Sequence, residues 1–112
     1  MATLRKQKEK SFERRVVSKL EKWEGVLALP KSHPMGVKGI LDRIFCVRGV
    51  LVSLEFKRSK SAKRDAMQKY YVKAINDAGG FAAFIYPENE EEVLASIKEI
   101  LEKRAVPPNG SS

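Results

Sequence analysis

The 112-residue sequence predicts an α/β fold, in which helices flank a mixed β-sheet containing an antiparallel hairpin and a crossover helix. Two alternating runs rich in β-branched residues surround Arg48-Gly49, and this pattern predicts the hairpin. A helical pattern and then a short apolar run follow, which predicts a strand parallel to the second hairpin strand. Amphipathic patterns near both ends of the chain predict the flanking helices.

The first helix is predicted over residues 11–23, where apolar residues recur at helical spacing among basic ones. Gly25 follows this helix, and residues 26–29 are predicted to form a short strand. Residues 30–39 contain Pro, Ser, His and Gly and are therefore predicted to be a loop. This loop leads into the first strand of the hairpin.

The register of the hairpin determines which side chains meet. If the turn is centred on Arg48-Gly49, counting outward places Asp42 opposite Glu55, with Lys57 two residues further along the same face. The other face is apolar and suited to a core, with Phe45, Val47, Val50, Val52, Leu54 and Phe56. A turn that slipped by one residue would instead place the two acids on opposite faces.

Two directly opposed carboxylates repel each other, and the repulsion destabilises a strand pair unless something neutralises it. A divalent metal ion shared by Asp42 and Glu55 would do so. Two acids and a lysine on one face of a hairpin are the groups that a metal-dependent nuclease requires. The sequence therefore predicts such a site, with a slipped turn and an ordinary exposed Glu55–Lys57 pair as the alternative.

After the hairpin, residues 58–64 form a cationic link, and residues 67–78 show the spacing of a second amphipathic helix, closed by Gly79-Gly80. Residues 81–86 are apolar enough for a buried strand. Asn89 and Glu92 have the spacing of a capping box for a third helix. Residues 1–104 are thus predicted to form a single domain, and residues 105–112 a flexible tail.

Lys and Arg number 22 against 14 Asp and Glu, giving a formal net charge of +8 that attracts polyanions over long range. Nucleic acid is the first partner to consider. No apolar stretch approaches the roughly 18 residues of a membrane-spanning helix, so we expect a soluble cytoplasmic or otherwise intracellular protein. The single cysteine, Cys46, allows no internal disulfide, and we expect it to be buried or half-buried.

The order of the motifs resembles the PD-(D/E)xK nuclease superfamily. A helix with Glu13 is followed by a strand, by Gly39-Ile40-Leu41-Asp42, by the hairpin with Glu55-Phe56-Lys57, and by a helix with Gln68. Within the superfamily, the basic link and the glycine pair resemble small stand-alone members of the VRR-NUC group, and archaeal Holliday junction resolvases look similar. The resemblance implies a restriction-endonuclease-like core.

The resemblance also implies roles for individual residues. The catalytic set would be Asp42, Glu55, Lys57 and Gln68. Mg²⁺ or Mn²⁺ would be held by Glu13, Asp42, Glu55 and the carbonyl oxygen of Phe56, with Glu9 as an alternative to Glu13. Phosphates would be contacted by cations that flank the site, namely Lys31, Lys38, Arg43, Arg58, Lys60, Lys63 and Arg64.

The expected function is a metal-dependent DNA endonuclease that hydrolyses phosphodiester bonds, structure-selective for branched DNA such as Holliday junctions. One site cuts one strand and the chain has no room for a recognition domain, so we expect a two-fold homodimer acting on branched or duplex DNA. Two alternatives remain open, a non-catalytic nucleic-acid-binding module and an RNA-directed nuclease. A viral protein acting in a host cell is compatible with the sequence.

Overall fold

The computed structural model describes residues 2–30 and 43–104, with side chains from residue 10 onward. The helices are α1 (Ala2–Glu21), α2 (Ala66–Asp77) and α3 (Glu90–Lys103), and a 3₁₀ turn (Pro87–Asn89) precedes α3. The strands are β1 (Val26–Ala28), β2 (Arg43–Val47), β3 (Val50–Phe56) and β4 (Phe81–Ile85). The predicted tail and nearly all of the predicted loop over residues 30–39 lie outside the described residues.

The four strands form one mixed sheet in the order β1-β2-β3-β4. The pairs β1–β2 and β2–β3 are antiparallel, whereas β3 and β4 are parallel and are joined through α2. This arrangement confirms the predicted α/β architecture with its hairpin and crossover helix. None of the helices in the described ranges combines the length and apolar character needed to cross a bilayer.

The hydrophobic core lies between one face of the sheet and the helices α1 and α3. From the hairpin, all the residues predicted for this face contribute, because Phe45, Val47, Val52, Leu54 and Phe56 are buried and Val50 packs against them. The helices supply Phe12, Val16, Val17 and Leu20 from α1, and Val93, Ile97 and Leu101 from α3. The predicted division of the hairpin into two faces is therefore confirmed for this side.

The opposite face of the sheet is covered by α2, which packs on β3 and β4. Ser53 and Glu55 are buried on this face, but Cys46 on β2 is exposed. The prediction that Cys46 is buried or half-buried is wrong, because α2 packs on the β3–β4 half of the sheet only. Cys46 pairs instead with two other exposed residues, Leu27 and Leu51.

Helix α1 begins at Ala2, nine residues before the predicted start at residue 11. The additional residues are mostly Leu, Arg, Lys, Gln and Glu, which have high intrinsic helix propensity but no apolar periodicity. An expectation based on amphipathic spacing alone therefore missed them.

Two asparagine side chains bond to the backbone of the edge strand β4. Asn76 Nδ2 donates to Ala82 O at 2.9 Å, and Asn76 Oδ1 accepts from Ala82 N at 3.1 Å. Asn89 Nδ2 donates to Phe84 O at 3.0 Å, and its Oδ1 accepts from Tyr86 N. The predicted capping box at Asn89 is wrong, since its side chain makes no cap hydrogen bond to α3.

Glu90, the first residue of α3, ties that helix to α1. Its Oε2 atom accepts hydrogen bonds from Arg15 Nη1 at 2.8 Å and Lys19 Nζ at 3.0 Å. Burial alone would raise the pKa of the Glu90 carboxyl, but the hydrogen bonds and charges of Arg15 and Lys19 outweigh that effect and lower the pKa. The folded state therefore favours the ionised carboxylate.

We expect part of the acid sensitivity of folding to come from Glu90. Because its pKa is lower in the folded than in the unfolded chain, its contribution to stability is complete above the unfolded pKa. The contribution is lost as the pH falls through the lowered pKa. When urea unfolding is measured from neutral to acidic pH, the free energy of unfolding should therefore decrease less steeply toward acid in Glu90→Gln than in the wild type.

The control is Glu91→Gln, at an exposed neighbouring position, which should keep the wild-type dependence of stability on pH. Identical profiles in all three proteins would contradict the assignment.

Candidate functional site

The candidate site depends on the hairpin, whose turn has the geometry that the sequence predicts. Arg48 and Gly49 have φ angles of 48° and 89°, as a type I′ turn requires at its two central residues. A positive φ is unusual for arginine, and reciprocal hydrogen bonds hold it in place. Arg48 Nη1 donates to Arg104 O, and Arg104 Nε donates to Arg48 O, both at 3.2 Å.

The observed register pairs Val47 with Val50 and continues without a slip to Arg43 opposite Leu54. The one-residue slip that would invert the faces is therefore absent from the described hairpin. Asp42, the first of the two acids in the prediction, lies outside the described residues. Its predicted position opposite Glu55 therefore stays a prediction.

Glu55 is a buried carboxylate, only 4% exposed, on the sheet face that α2 covers. A charged group in such a place requires hydrogen bonds and a counter-charge. Gln68 Nε2 donates to Glu55 Oε2 at 2.5 Å, and Lys57 Nζ lies 3.7 Å from the same oxygen. The structure thus brings together three of the four predicted catalytic residues, and we call them the Glu55–Lys57–Gln68 cluster.

The amine of Lys57 is held from two sides. Its Nζ donates to Gln68 Oε1 at 3.1 Å, in addition to its ion pair with Glu55. The ring of Phe84, the residue that pairs with Glu55 on the neighbouring strand, lies 6.0 Å from the same nitrogen. Lys57 is therefore an oriented cation beside the buried carboxylate.

Gln68 links the cluster to the N-terminus of α2. Asp65 caps this helix, because its Oδ1 accepts from Met67 N at 2.8 Å, and Asp65 N donates to Gln68 Oε1 at 3.3 Å. The side-chain oxygen of Gln68 thus faces two donors, and its nitrogen faces the Glu55 carboxylate. Asp65 is not among the residues predicted from the sequence, although Asp-x-x-Gln before a helix is a capping-box pattern.

Glu13, predicted as a metal ligand, lies on α1. Its Oε2 accepts a hydrogen bond from Arg43 Nε at 2.7 Å, and both side chains are mostly buried. Arg43 alternates with Ile44 along β2 and therefore lies on the core side with Phe45, whereas Glu55 lies on the side of α2. The side chain of Glu9 lies outside the described residues.

The described residues contain no group of three or more His, Cys, Asp or Glu side chains that could hold a metal ion. Asp42 and the side chain of Glu9 lie outside those residues. Among the described residues, Glu55 therefore has no two further His, Cys, Asp or Glu side chains placed to share a metal ion with it.

The basic side chains of the cationic link between β3 and α2 differ in their exposure to solvent. Arg58, Lys60 and Lys63 are exposed, whereas Arg64 is half-buried. The Arg64 guanidinium lies 4.8 Å from the Phe84 ring centre and 5.6 Å from that of Tyr86. Its Nη1 also donates to Lys60 O at 3.0 Å. Arg64 therefore anchors the link to β4, and the three exposed cations are the ones presented to a polyanion.

Two of the other predicted phosphate contacts, Lys31 and Lys38, lie outside the described residues. No protein-family model, curated protein or solved structure matches this chain significantly.

Proposed function

We propose that this chain is a metal-dependent endonuclease that hydrolyses phosphodiester bonds in DNA, built on a restriction-endonuclease-like core. The observation that supports the proposal most is the Glu55–Lys57–Gln68 cluster. Burying a carboxylate costs stability, and a buried carboxylate with an oriented amine two residues further along the chain is typical of a functional site. The absence of a slip in the described hairpin is compatible with Asp42 as the second acid.

The donor atoms fit a hard divalent cation such as Mg²⁺ or Mn²⁺. Glu55 supplies a carboxylate whose orientation Gln68 fixes, and oriented ligands bind metals better than mobile ones. The Asp42 carboxylate and the carbonyl oxygen of Phe56 would complete the protein ligands, because Mg²⁺ is usually bound by one or two carboxylates and several waters. When bound, the cation would polarise the scissile phosphate as a Lewis acid.

The other residues of the cluster would prepare the reaction. Lys57 carries a positive charge beside the carboxylate, where it would hydrogen-bond the attacking water and offset the charge that develops on the phosphate. Gln68 would keep the Lys57 amine and the Glu55 carboxylate in fixed relative positions. This preorganisation is the chemical role that the observed hydrogen bonds support.

The exposed cations of the link, Arg58, Lys60 and Lys63, would contact the DNA backbone next to the cluster. Contacts to the DNA backbone provide binding affinity that decreases as the salt concentration rises. They give little information about the DNA sequence. We therefore propose selection by DNA structure, with branched DNA such as a Holliday junction as the preferred substrate.

A substrate panel tests this proposal. Four-way junction, flap, duplex and single-stranded DNA, with a matched RNA duplex, are incubated with the protein and Mg²⁺ or Mn²⁺. We expect the wild type to cut the junction, and we expect Asp42→Ala and Lys57→Ala to bind it without cutting. Lys69→Ala, at an exposed position on α2, is the control and should cut normally.

Undiminished cutting by both site variants would reject the assigned residues.

The exposed basic link also supports a second candidate, a nucleic-acid-binding module without catalytic activity. Salt-sensitive binding by the wild type with no cutting in either metal would favour that candidate. Preferential cutting of the RNA duplex would instead identify an RNA-directed nuclease.

A further inference from the structure

Helix α1 is longer than the part of the core that it covers. Among its described side chains, Phe12 is the first that is buried, and Lys10 and Ser11 before it are exposed. From Ala2 to Phe12 the helix rises by about 15 Å, at 1.5 Å per residue. The described core contacts of α1 therefore begin halfway along the helix, and we call residues 2–11 the α1 extension.

The contacts of α1 determine the direction of the α1 extension. The Phe12 ring packs edge-on against Phe56 at the end of β3, with ring centres 5.7 Å apart. The next residue, Glu13, bonds Arg43 at the start of β2. Beyond the other end of the helix, the carbonyl of Gly25 accepts a hydrogen bond from the backbone of the hairpin turn. Helix α1 therefore runs from the open end of the hairpin toward its turn, and the α1 extension continues outward past the open end.

The open end of the hairpin is also where the proposed site lies. Glu55 and Lys57 flank Phe56 in the chain, and the cationic link leaves the sheet directly after Lys57. Helix α1 packs on the core side of the sheet, whereas the link leads to α2 on the opposite side. The α1 extension and the link therefore flank the same end of the sheet from its two faces.

The net charge of the chain is concentrated in these two segments. The charged residues of the α1 extension are Arg5, Lys6, Lys8, Glu9 and Lys10, which give a formal charge of +3. Residues 58–64 of the link contain four basic residues and no acid, a formal charge of +4. Together the two segments carry +7 of the net +8 of the chain. The positive field that attracts a polyanion is therefore strongest at the end of the sheet that holds the cluster.

Two kinds of polyanionic surface could bind a basic helix, a lipid membrane and a nucleic acid. Basic helices that bind membranes bury a broad apolar face in the lipid. In the α1 extension the only large apolar residue is Leu4, so such a face is missing from its sequence. A nucleic-acid backbone requires positive charge and no apolar face. The composition of the α1 extension therefore favours nucleic acid.

We propose that the α1 extension is a second contact surface for the nucleic-acid backbone, on the other face of the sheet from the link. A DNA duplex lying across the open end of the hairpin would be contacted from both faces. The length of about 15 Å corresponds to about four nucleotide steps of 3.4 Å, so the α1 extension reaches phosphates well beyond the cluster. The choice of DNA rests on the proposed function, but the contact itself concerns binding and not cleavage.

The salt dependence of binding tests this contact. Binding of a fluorescent four-way DNA junction is measured by anisotropy in EDTA, where no cutting occurs, over a range of salt concentrations. The α1 triple variant combines Arg5→Gln, Lys6→Gln and Lys8→Gln. Each phosphate contact contributes about 0.9 to the slope of log affinity against log salt, so we expect this slope to become shallower by about 2–3. Glutamine has nearly the helix propensity of lysine and arginine, and circular dichroism should show an unchanged helix content.

A matched control removes the same number of charges at the opposite end of the sheet. It combines Lys22→Gln, Lys98→Gln and Lys103→Gln, three exposed positions near the end of α1 and in α3. Lys98 lies 4.6 Å from the ring centre of Trp23, and Lys103 precedes Arg104, whose carbonyl bonds the hairpin turn. Both triple variants lower the formal net charge by three. We expect the control to keep the wild-type slope, because its charges lie far from the bound DNA.

A crosslinking experiment locates the contact. The exposed Cys46 is first replaced in Cys46→Ser, so that a single new cysteine can be labelled. A photoactivatable benzophenone attached at Gln7→Cys should crosslink to the junction. The same reagent attached at Lys22→Cys, near the turn end of the sheet, should not.

Several results would overturn the inference. These are a wild type that does not bind the junction, an unchanged slope in the α1 triple variant, and equal changes of slope in the two triple variants, since net charge alone would explain the last. Binding to anionic phospholipid vesicles that the α1 triple variant loses, with junction binding unchanged, would also overturn it and identify a membrane as the partner. A wild type that binds with the expected difference in slope but cuts no DNA in Mg²⁺ or Mn²⁺ would support this contact and reject the nuclease.

Discussion

Replacing Glu55 with glutamine is expected to reduce DNA cutting by about 10²–10³-fold, the loss typical when one preorganised electrostatic group is removed from a reacting centre. Glutamine has nearly the same shape, so its carbonyl oxygen can still accept from Gln68 Nε2. The negative charge is lost, however, and a neutral amide is a weaker ligand for Mg²⁺ than a carboxylate. Lys57 also loses its counter-charge.

The measurement is single-turnover cutting of a four-way junction in Mg²⁺, with thermal unfolding of the same samples as a check on folding. Glu91→Gln is the matched control, because it makes the same change at an exposed position on α3. We expect the control to cut at the wild-type rate. Wild-type cutting by a folded Glu55→Gln variant would remove Glu55 from the mechanism.

Replacing Phe45 with alanine is expected to destabilise the fold by about 3–5 kcal/mol. Phe45 is fully buried on β2, at the centre of the core between the sheet and the helices α1 and α3. Removal of its ring leaves a cavity that the surrounding side chains can fill only in part. Since domains are typically stable by about 5–15 kcal/mol, the variant would be close to unfolding.

Urea unfolding measures this change. Leu27→Ala on the neighbouring strand β1 is the control, because Leu27 is 61% exposed and pairs with Cys46 on the other face of the sheet. We expect the control to change stability by no more than about 0.5 kcal/mol. Similar losses in the two variants would mean that the core does not lie on the Phe45 side.

The sheet could be predicted from the sequence because local chemistry and periodicity agree there. Alternation with period two assigns each hairpin residue to a face, and the turn at Arg48-Gly49 fixes which residues are opposite each other. The parallel strand β4 also follows from the order of strand, helix and strand. Each of these signals lies within a short segment of the chain.

The side-chain network of the site required three-dimensional information. The prediction of Gln68 comes only from the resemblance in motif order, and nothing in its spacing indicates that its amide bonds Glu55, Lys57 and Asp65 at once. The ion pair between Glu13 and Arg43 joins residues 30 positions apart. Such contacts depend on how helices pack on the sheet.

The error at Asn89 has a similar cause. Asparagine three residues before a glutamate is a reasonable helix cap. Its side-chain amide can, however, bond instead to any unbonded backbone group nearby. Here Phe84 on β4 and Tyr86 just after it offer such groups, and Asn89 bonds to them. Only the position of the edge strand determines which partner the side chain takes.

The carboxamides of Asn76 and Asn89 have a consequence for how this protein meets other chains. An open strand edge accepts further strands from any source, which leads to sheet continuation between molecules and to fibrillar aggregates. On β4, both backbone groups of Ala82 and the carbonyl of Phe84 are already engaged by these side chains. An incoming strand would have to displace them, so this margin of the sheet resists polymerisation, and specific contacts are left to side-chain surfaces.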